Sequence, residues 1–556
     1  MTTTKPNFFA KFFKKFKFST NQQLLNALVA LYFTLLNYTV YVKVLQFYAN
    51  SNTSLDAFVF SVPFFIFFAC YLIFTVLALP FVHKVIVPLL MVISSAVSYN
   101  SIFFDVYFNR DMLTNIMQTS VGESSRLLTL PFVAWIVFLG IIPALLYINT
   151  QIKYRVWWRE ILWRLGAGAL SVAGIGVIAM LFYQDYASFG RNNLAIKHQI
   201  VPTNFVAASL SKYRRYKQGK IPHQVISPNA TQVKTNNNRK VTVMIVGETT
   251  RAMNWGLNGY THQTTPLLAK RGDEIVNFNK VTSCNTFTAG SVPCMFSHLP
   301  RTEFDADKAE KQDNLLDIIQ RAGVNVLWID NDAGCKGVCN RVPTIDITQL
   351  NPPEFCHNGE CKDNAILPEL DKALAKVDSL NKDTLIILHT IGSHGPTYFE
   401  RYSPEFRKFT PTCDTNEIQK CSNEQLVNTY DNTILYVDQF INEVIHRVEK
   451  HENWESSVIY TSDHGESLGE NGVYLHSTPY DIAPATQTHV PMVMWFSKAW
   501  RANEGIDHAC LLNNAKTKEF SHDNIFSTIF GAMDMKVDET YQADLDILSG
   551  CKKPKT

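Results

Sequence analysis

Long apolar runs in the first third of the chain constrain its fold more than any other feature. A helix needs about 20 apolar residues to cross a bilayer. Five segments of the 556-residue chain are long enough, at approximately 23–48, 56–80, 84–104, 129–149 and 164–183. The first run is too long for the apolar core of a signal peptide, and no cleavage pattern precedes it. The sequence therefore predicts an N-terminal transmembrane domain with five spanning helices.

Basic residues predict the orientation of these helices. Cytoplasmic loops of membrane proteins carry an excess of Lys and Arg, and the loop near 49–55 has none. The N-terminus is therefore expected in the cytoplasm, and five spans leave the chain beyond about residue 185 on the outer face. The supporting residues are Lys5, Lys11, Lys14, Lys15 and Lys17 before the first span, and Lys153, Arg155, Arg159 and Arg164 between the fourth and fifth.

The cysteines give independent evidence for an oxidising compartment. Of 11 cysteines, only Cys70 lies in the membrane part, and eight of the other ten form close pairs along the chain. Such pairs are typical of disulfides outside the cytosol. A structural zinc cluster is the alternative, but the spacings match no common zinc finger. The predicted bridges are Cys284–Cys294, Cys335–Cys339, Cys356–Cys361, Cys413–Cys421 and Cys510–Cys551.

From residue 241 onward, short apolar runs alternate with segments of helical periodicity. Strands that alternate with helices predict a mainly parallel sheet covered on both faces. In such sheets, ligands bind beyond the carboxyl ends of the strands. The strand candidates are 241–246, 324–329, 384–390, 457–462 and 490–496, and the helix candidates are 314–323 and 428–451.

Four polar side chains in this region predict a catalytic metal site. Glu248 follows the first strand candidate, and Asp463 and His464 follow the fourth. Together with the hydroxyl of Thr288, expected in a small surface loop closed by a disulfide, they are suitable ligands for zinc. A metal would make that hydroxyl a nucleophile. An Asp-His pair that merely caps a helix is the alternative interpretation. The rival hydroxyls in the same loop are Thr286 and Ser291.

Two histidines and a lysine extend the predicted site. His394 and His476 lie in glycine-containing loops rather than on an apolar face, so they could bind a second metal ion or a transferred phosphate. Lys336, inside a predicted disulfide loop, is placed to contact a phosphate, although a lone lysine is more often simply solvated. His389 lies inside a strand candidate and is interpreted as a buried, hydrogen-bonded histidine.

Two segments suggest contacts with lipid. Asn115, Thr119 and Glu123 recur every fourth residue and would form one polar stripe on a helix, able to hold a polar headgroup. An ordinary amphipathic face would give the same spacing. The basic, aromatic segment 204–220 suits a helix at the headgroup level of an anionic membrane, or equally a solvated linker.

Five motifs of this chain are shared with one known family. They are GETTRAMNWGLNGY (247–260), CNTFTAGSVPCMFS (284–297), HTIGSHGPTY (389–398), FTPTCDTNEIQKC (409–421) and SDHGESLGENGVYLH (462–476). Together they resemble the lipid A phosphoethanolamine transferases, which include the transferable polymyxin-resistance enzymes. The resemblance covers essentially the whole chain.

The resemblance implies a fold and a location. It predicts a five-helix transmembrane domain at residues 1–185, a bridging helix and linker at 186–240, and a catalytic domain at 241–556 with the α/β/α fold of alkaline phosphatase. The chain is expected to cross the bacterial inner membrane several times, with the catalytic domain in the periplasm. A monomer without a nucleic-acid partner is expected.

The resemblance also implies a reaction. Phosphoethanolamine would move from phosphatidylethanolamine to a phosphate of lipid A, through a phospho-threonine on Thr288, and the lower surface charge would give polymyxin resistance. One zinc ion is expected, and a second is allowed. The implied zinc ligands are Glu248, Thr288, Asp463 and His464. The implied contacts to a second zinc or to substrate are His394, His476 and Lys336, and those to the donor headgroup are Asn115, Thr119 and Glu123.

One departure from the family and three other functions stay open. Asn285 and Phe287 stand where many relatives have Gly and Ser, which could alter the loop beside the nucleophile. The same chemistry could act on another acceptor, such as a lipopolysaccharide core sugar or a glycerol-phosphate polymer. A membrane-anchored zinc phosphatase or sulfatase would use water as the acceptor. A non-catalytic lipid-binding protein would have no use for a metal-ligated hydroxyl.

Overall fold

The chain forms two compact units. The computed structural model describes residues 18–50, 57–119, 121–218, 222–234, 236–357, 359–537 and 540–552. The membrane unit comprises residues 1–110 and 128–211, and the catalytic unit comprises residues 111–127 and 212–556. The catalytic unit thus includes a segment that the sequence pattern assigns to the transmembrane domain. Outside the described residues lie the N-terminal lysines 5–17, Lys220 and most of the loop near 49–55.

Long apolar helices build the membrane unit. Among the described residues, four are long and apolar enough to cross a membrane, or five if a bent pair counts as one span. From residue 111 to 127 the chain belongs to the catalytic unit. The helices up to residue 218 are α1 (Gln22–Leu36), α2 (Tyr38–Asn50), α3 (Ala57–Leu77), α4 (His83–Phe104), α5 (Arg110–Gln118), α6 (Val121–Arg126), α7 (Leu130–Trp135), a π-helix (Ile136–Ile141), α8 (Ile142–Asn149), α9 (Trp157–Asn192) and α10 (Thr203–Gln218).

Asn37 divides the first predicted span into two helices. The sequence predicts one span over 23–48, whereas α1 and α2 are bent by 47°. The side-chain amide of Asn37 donates to the carbonyls of Phe33 and Val201, both at 2.8 Å, and its oxygen accepts the N–H of Val201 at 2.9 Å. A polar side chain that enters the ladder of helical hydrogen bonds is a common cause of such a kink.

Aromatic and small residues pack the interior of the membrane unit. The rings of Phe33 and Phe74 stack with their centroids 4.8 Å apart. A Cβ atom added at Gly174 would lie 2.7 Å from the ring of Phe68. Glycine at this position therefore lets α9 approach α3 closely, as small residues do between membrane helices.

A seven-stranded sheet forms the centre of the catalytic unit. Its strands are β1 (Arg239–Gly247), β2 (Ile275–Phe278), β3 (Asn325–Asp330), β4 (Thr344–Asp346), β5 (Thr384–His389), β6 (Trp454–Ser462) and β7 (Met492–Phe496). Their spatial order is β2-β7-β6-β1-β5-β3-β4. Strands β6, β1, β5, β3 and β4 run parallel, and β7 is antiparallel to both of its neighbours. The mainly parallel sheet predicted from the sequence is confirmed.

The central strands are apolar along most of their length because helices cover the sheet. Met244 and Val246 of β1 belong to one hydrophobic core with Leu316 and Phe526 from two covering helices. Buried parallel strands characteristically read as such apolar runs. The helices of this unit beyond residue 218 are α11 (Pro266–Lys270), α12 (Thr288–Met295), α13 (Ala306–Ala309), α14 (Leu315–Arg321), α15 (Ile347–Leu350), α16 (Leu367–Leu374), α17 (Val377–Leu380), α18 (Asn423–Glu449), α19 (Ala485–Thr488), α20 (Lys498–Glu504), α21 (His508–Thr517) and α22 (Asp523–Ala532).

Local sequence signals fix the start of two helices. Ser422 and Gln425 form a capping box at the start of α18, and Asn314 and Asp317 form another at the start of α14. In a capping box, two side chains satisfy backbone N–H groups that the first helical turn leaves without partners. Both helices match the sequence predictions within a few residues.

Short strand pairs complete the fold. They are Ser19–Thr20 with Gln151–Ile152, Cys356–His357 with Glu360–Cys361, Ser467–Leu468 with Tyr474–Leu475, Val281–Thr282 with Phe520–Ser521, and Thr231–Gln232 with Met535–Lys536.

Five disulfides stabilise the catalytic unit. They join Cys284–Cys294, Cys335–Cys339, Cys356–Cys361, Cys413–Cys421 and Cys510–Cys551. These are the pairs that the sequence predicts. Among the described residues, Cys70 is a free cysteine and is buried.

The disulfide that closes the longest loop is expected to stabilise the protein most. Cys510 and Cys551 are 41 residues apart, and Cys413 and Cys421 are 8 apart. Because a bridge lowers the entropy of the unfolded chain according to loop length, replacing the first pair by Ser should cost about 4 kcal/mol and the second about 2.5 kcal/mol. Thermal unfolding of both double variants in detergent measures the difference. A larger loss for the Cys413–Cys421 pair would contradict this ranking.

Candidate active site and metal centre

The ends of two neighbouring parallel strands bring three side chains together. Gly247, the last residue of β1, pairs with Ser462, the last residue of β6. The N–H of Asp463 donates to the carbonyl of Gly247 at 2.8 Å. The next residue of each strand, Glu248 and Asp463, therefore emerges at the same edge of the sheet. Glu248, Asp463 and His464 are all fully buried.

Thr288 joins this cluster from a helix rather than from the expected surface loop. It is the first residue of α12 and is only 6% exposed. Its hydroxyl donates to Glu248 Oε2 at 3.1 Å and lies 3.4 Å from His464 Nε2. The expectation of a surface loop is wrong, because the chain leaves the extended backbone of Phe287 directly into a helix. Positive charge at a helix N-terminus favours an anion near the hydroxyl.

The donor atoms of the cluster fit a metal ion. Asp463 Oδ1 accepts the N–H groups of His464 and Thr249, at 2.7 and 3.3 Å. His464 Nδ1 donates to the carbonyl of Gly465 at 2.9 Å, so its Nε2 presents a lone pair to the cluster. That Nε2 lies 3.3 Å from Glu248 Oε1 and 3.4 Å from Asp463 Oδ2. These two carboxylate oxygens are buried and have no hydrogen-bond partner.

The charges of the cluster also favour a bound cation. Burial raises the pKa of Glu248 well above its ordinary value, and the neighbouring charge of Asp463 raises it further. Two buried carboxylates side by side are costly unless a positive charge pairs with them. Two carboxylates, one imidazole and one hydroxyl are ligands that a zinc-like divalent ion accepts.

The two rival hydroxyls have other roles. Thr286 donates to the carbonyl of Thr478 at 2.6 Å. Ser291 donates to the carbonyl of Asp463 at 2.5 Å and so supports the strand end instead of facing the ligand atoms. Of the three hydroxyls, only Thr288 has the carboxylate of Glu248 and the imidazole of His464 as neighbours.

The predicted residues His394 and His476 lie beside the cluster. The ring of His476 is 4.5 Å from that of His464 and 5.4 Å from that of His394. Burial lowers the pKa of His394 well below its ordinary value, and the charge of His476 lowers it further. Imidazoles here can contact a phosphate oxygen or a second metal ion.

Glu466 holds His476 in place, and the sequence prediction misses it. His476 Nδ1 donates to Glu466 Oε2 at 2.9 Å, and the hydroxyl of Tyr398 donates to Glu466 Oε1 at 2.7 Å. Glu466 lies two residues after His464 in the same motif. This position was the sequence signal that could have identified it as a site residue. The contact fixes the tautomer of His476 and leaves its Nε2 for the substrate side.

Lys336 is buried next to a second acid that the sequence prediction also misses. Lys336 Nζ lies 3.5 Å from Asp332 Oδ2, and His389 Nε2 lies 3.7 Å from the same oxygen. Burial alone would raise the pKa of Asp332, but the charges of Lys336, His389 and His394 outweigh it and hold the pKa at about 2. Asp332 lies just past the end of β3, so the strand-end rule applied to this strand would have found it. His389 is buried and donates from Nδ1 to Asp330 at 3.1 Å.

His522 links the segment that precedes Thr288 to the strand that precedes Asp463. Its Nδ1 accepts the N–H of Cys284 at 3.0 Å, and its Nε2 donates to the carbonyl of Ser462 at 3.0 Å. Burial lowers the pKa of His522 to about 4, so the ring is neutral near pH 7. It therefore joins the backbone just before Thr288 to the backbone just before Asp463.

The predicted polar stripe is not one helix. α5 ends at Gln118 and α6 begins at Val121, so Asn115 lies in α5, Thr119 lies between the helices and Glu123 lies in α6. The Thr119 hydroxyl donates to the carbonyl of Asn115 at 2.8 Å. The side chain of Glu123 lies outside the described part of the structure.

Comparisons with known proteins cover both units. A family model described as sulfatase matches residues 240–535, and one described as phosphoethanolamine transferase EptA/EptB matches residues 66–216. Phosphoethanolamine transferase EptA of Salmonella typhimurium is 42% identical over 524 residues, which cover 93% of this chain and 94% of the relative. Phosphatidylethanolamine transferase Mcr-1 of Escherichia coli is 36% identical over 536 residues, covering 94% of this chain and 96% of the relative.

A solved full-length structure has the same fold. The integral membrane lipooligosaccharide phosphoethanolamine transferase A (EptA) from Neisseria meningitidis is 55% identical, with a TM-score of 0.93. The match covers 97% of this chain and all of that chain (100%). The soluble domain of the same Neisseria enzyme matches at 60% identity with a TM-score of 0.59, over 60% of this chain and 99% of that domain.

Replacing Glu248 tests whether the cluster holds a metal. Glu248→Gln should lower the content of bound divalent metal, because it removes a charged ligand. It should also raise the stability of the metal-free protein, since one of two adjacent buried carboxylates is gone. A metal ion at a free concentration about 100 times its Kd stabilises the folded protein by about 2.7 kcal/mol. The variant should lose most of this stabilisation.

Elemental analysis and thermal unfolding with and without chelator measure both effects. Glu443→Gln, a similar change at a partly exposed glutamate of α18 that pairs with Arg447, is the matched control. Unchanged metal content in Glu248→Gln would show that the metal binds elsewhere.

Proposed function

The chain belongs to the phosphoethanolamine transferase family, and from that membership we propose that it transfers phosphoethanolamine from phosphatidylethanolamine to a phosphate of lipid A. The observation that carries the proposal is the Thr288 hydroxyl, held 3.1 Å from Glu248 and 3.4 Å from His464 at the N-terminus of a helix. A fixed hydroxyl beside a set of metal ligands is the arrangement that covalent phosphoryl transfer needs.

In the first half-reaction, Thr288 attacks the phosphorus of the donor. A bond forms between Thr288 Oγ and phosphorus, and the bond from phosphorus to the diacylglycerol oxygen breaks. Thr288 releases one proton, and the diacylglycerol oxygen takes one up. His476, oriented by Glu466, would give that proton from Nε2 in its protonated, imidazolium form. The products are diacylglycerol and a phosphoethanolamine ester of Thr288.

In the second half-reaction, a phosphate oxygen of lipid A attacks the same phosphorus. The new bond joins the two phosphorus atoms through oxygen, and the bond to Thr288 breaks. Thr288 regains its hydroxyl, so the enzyme returns to its starting state. The same residues act in both halves because the attacking and leaving groups only exchange places.

Zinc is the proposed metal, held by Glu248, Asp463, His464 and Thr288. When bound, it would neutralise the carboxylates, favour ionisation of the hydroxyl and offset charge on the transferred group. The orphaned oxygens of Glu248 and Asp463 and the mixed nitrogen and oxygen donors support this choice. One ion at this cluster is the minimum that the site requires.

Three further residues are proposed to contact the transferred phosphate. Lys336 brings a positive charge to the site from the buried pair with Asp332. His394 and His476 supply imidazoles beside His464. Cationic and hydrogen-bonding groups around a phosphoryl group stabilise its charge as it moves between oxygens.

The membrane unit and the disulfides agree with this reaction. Both lipid substrates lie in the bilayer, so an enzyme with membrane helices meets them at a high effective concentration. We place the N-terminus in the cytoplasm and the catalytic unit in the periplasm of a bacterial inner membrane. Asn115, Thr119 and Glu123 are proposed to contact the donor headgroup. A monomer suffices, because every proposed residue comes from one chain.

The product accounts for a biological effect. Phosphoethanolamine adds a positively charged amine to a lipid whose phosphates attract cationic peptides. A less negative surface attracts polymyxin less strongly, so the activity is expected to confer polymyxin resistance.

Removing the nucleophile tests the reaction. Thr288→Ala should reduce transfer by roughly 1,000-fold or more, because the hydroxyls of Thr286 and Ser291 bond to backbone carbonyls instead of the ligand atoms. Thr288→Ser should retain part of the activity, since it keeps the oxygen. Mass spectrometry of lipid A from expressing cells, at equal membrane abundance, measures transfer and also shows whether the acceptor is a phosphate or a core sugar.

Thr286→Ala is the matched control for this experiment. It removes a hydroxyl two residues away that bonds only to a backbone carbonyl, so transfer should stay near the wild-type level. Transfer that survives in Thr288→Ala, or that is lost only in Thr286→Ala, would contradict the assignment of the nucleophile.

A further inference from the structure

Residues 111–127 connect two membrane helices in the sequence, yet they pack with the catalytic unit. Lys212 Nζ donates to the hydroxyl of Thr114 at 3.1 Å near one end of the segment. At the other end, Asn416 Nδ2 donates to the carbonyl of Arg126, the last residue of α6, at 2.7 Å. Side chains of the catalytic unit thus hold the segment at both ends.

The side chain of Arg126 makes the strongest of these contacts. Its guanidinium pairs with Glu360, with 2.8 Å between Nε and Oε2, and also with Glu400. The side chains of Arg126 and Glu360 are only 11% and 8% exposed. Ion pairs shielded from water are screened less by salt than surface pairs, and losing one partner leaves the other charge buried.

Glu360 lies in a short strand pair that a disulfide links. It belongs to the short strand Glu360–Cys361, which is joined to its neighbour by the Cys356–Cys361 disulfide. The backbone of α6 also approaches it closely, because a Cβ added at Gly122 would lie 3.4 Å from Glu360 Cγ. The segment therefore packs against a strand pair that a disulfide links.

One carboxylate oxygen of Glu360 contacts both Arg126 and Arg401, and Arg401 contacts the loop of His394. Glu360 Oε2 also accepts from Arg401 Nη1 at 2.6 Å. Arg401, only 3% exposed, donates from Nε to the carbonyl of His394 at 2.8 Å and from Nη2 to the hydroxyl of Thr397 at 3.2 Å. A continuous series of contacts thus runs from Arg126 through Glu360 and Arg401 to the backbone of His394.

We propose that Arg126, Glu360 and Arg401 are positioning residues that couple the inter-helix segment 111–127 to the loop of His394. The inference rests on the proposed function, in which this segment carries the contacts to the donor headgroup and His394 contacts the transferred phosphate. Holding the segment and the loop against one carboxylate fixes the headgroup and the phosphate relative to Thr288. Such fixed positioning lowers the barrier for a lipid donor, which must be oriented at both of its polar groups.

This role differs from simple stabilisation in what it predicts for two substrates. A soluble phosphoethanolamine ester needs only the metal cluster and the phosphate contacts. Phosphatidylethanolamine also needs the segment 111–127 in its docked position. Loss of Arg126 should therefore affect the lipid donor more than the soluble ester, whereas a general loss of stability would affect both alike.

The experiment measures the full-length protein with two donors. The lipid donor is phosphatidylethanolamine in vesicles, and the soluble donor is p-nitrophenyl phosphoethanolamine in detergent. Arg126→Ala should lower kcat/KM for the lipid donor by about tenfold, mainly through KM, and this loss should exceed the loss with the soluble ester at least about fivefold. Arg126→Lys should recover part of the lipid activity, because it keeps the charge but not both nitrogen contacts.

Arg447→Ala is the matched control. Arg447 also pairs with two carboxylates, Asp371 and Glu443, but these lie on helices α16 and α18 of the catalytic unit. Its two activities should change by the same factor. Hydrogen exchange should become faster within residues 111–127 in Arg126→Ala and remain unchanged there in Arg447→Ala.

Two results would overturn the inference. Equal losses with both donors in Arg126→Ala would show that the arginine only stabilises the fold. Unchanged hydrogen exchange in residues 111–127 would show that Arg126 does not hold the segment. The proposed function fails in a different way, since wild-type protein would then not use phosphatidylethanolamine at all.

Discussion

Two carboxylates at the ends of neighbouring parallel strands are the constraint on which the site depends. Glu248 and Asp463 are fully buried, and each directs one oxygen without a hydrogen-bond partner at the same small space. Their repulsion disfavours two ionised carboxylates, and a cation bound between them would remove that cost. His464 places Nε2 3.3 Å from Glu248 and 3.4 Å from Asp463, and the hydroxyl of Thr288 lies 3.1 Å from Glu248. The proposed metal ligands and the proposed nucleophile thus belong to one cluster.

The sheet and the principal cluster were predictable because both follow from strand ends. An apolar run locates a buried strand, and a parallel sheet places the residues after such strands at one edge. That reasoning brings Glu248, Asp463 and His464 together without any knowledge of loop structure. It also applies to Asp332, although the sequence prediction did not use it there.

Other features depend on contacts that a sequence pattern does not contain. The bend at Asn37 arises from hydrogen bonds to Val201, 164 residues further along the chain. The helix that begins at Thr288 and the support from His522 depend on how distant loops meet. The inter-helix segment 111–127 packs with the catalytic unit through Arg126 and Glu360, and no periodicity in the segment indicates those partners. Tertiary contacts rather than local preference decide each of these cases.

The central claim is that Thr288 carries the transferred group between two lipids, and trapping the intermediate tests it most directly. Full-length protein is incubated with phosphatidylethanolamine in vesicles that contain no lipid A, and its intact mass and peptide fragments are then measured. The account predicts one added phosphoethanolamine group, located on Thr288, which disappears when lipid A is supplied. A protein that releases diacylglycerol but carries no adduct, or carries it on another residue, would contradict the covalent mechanism.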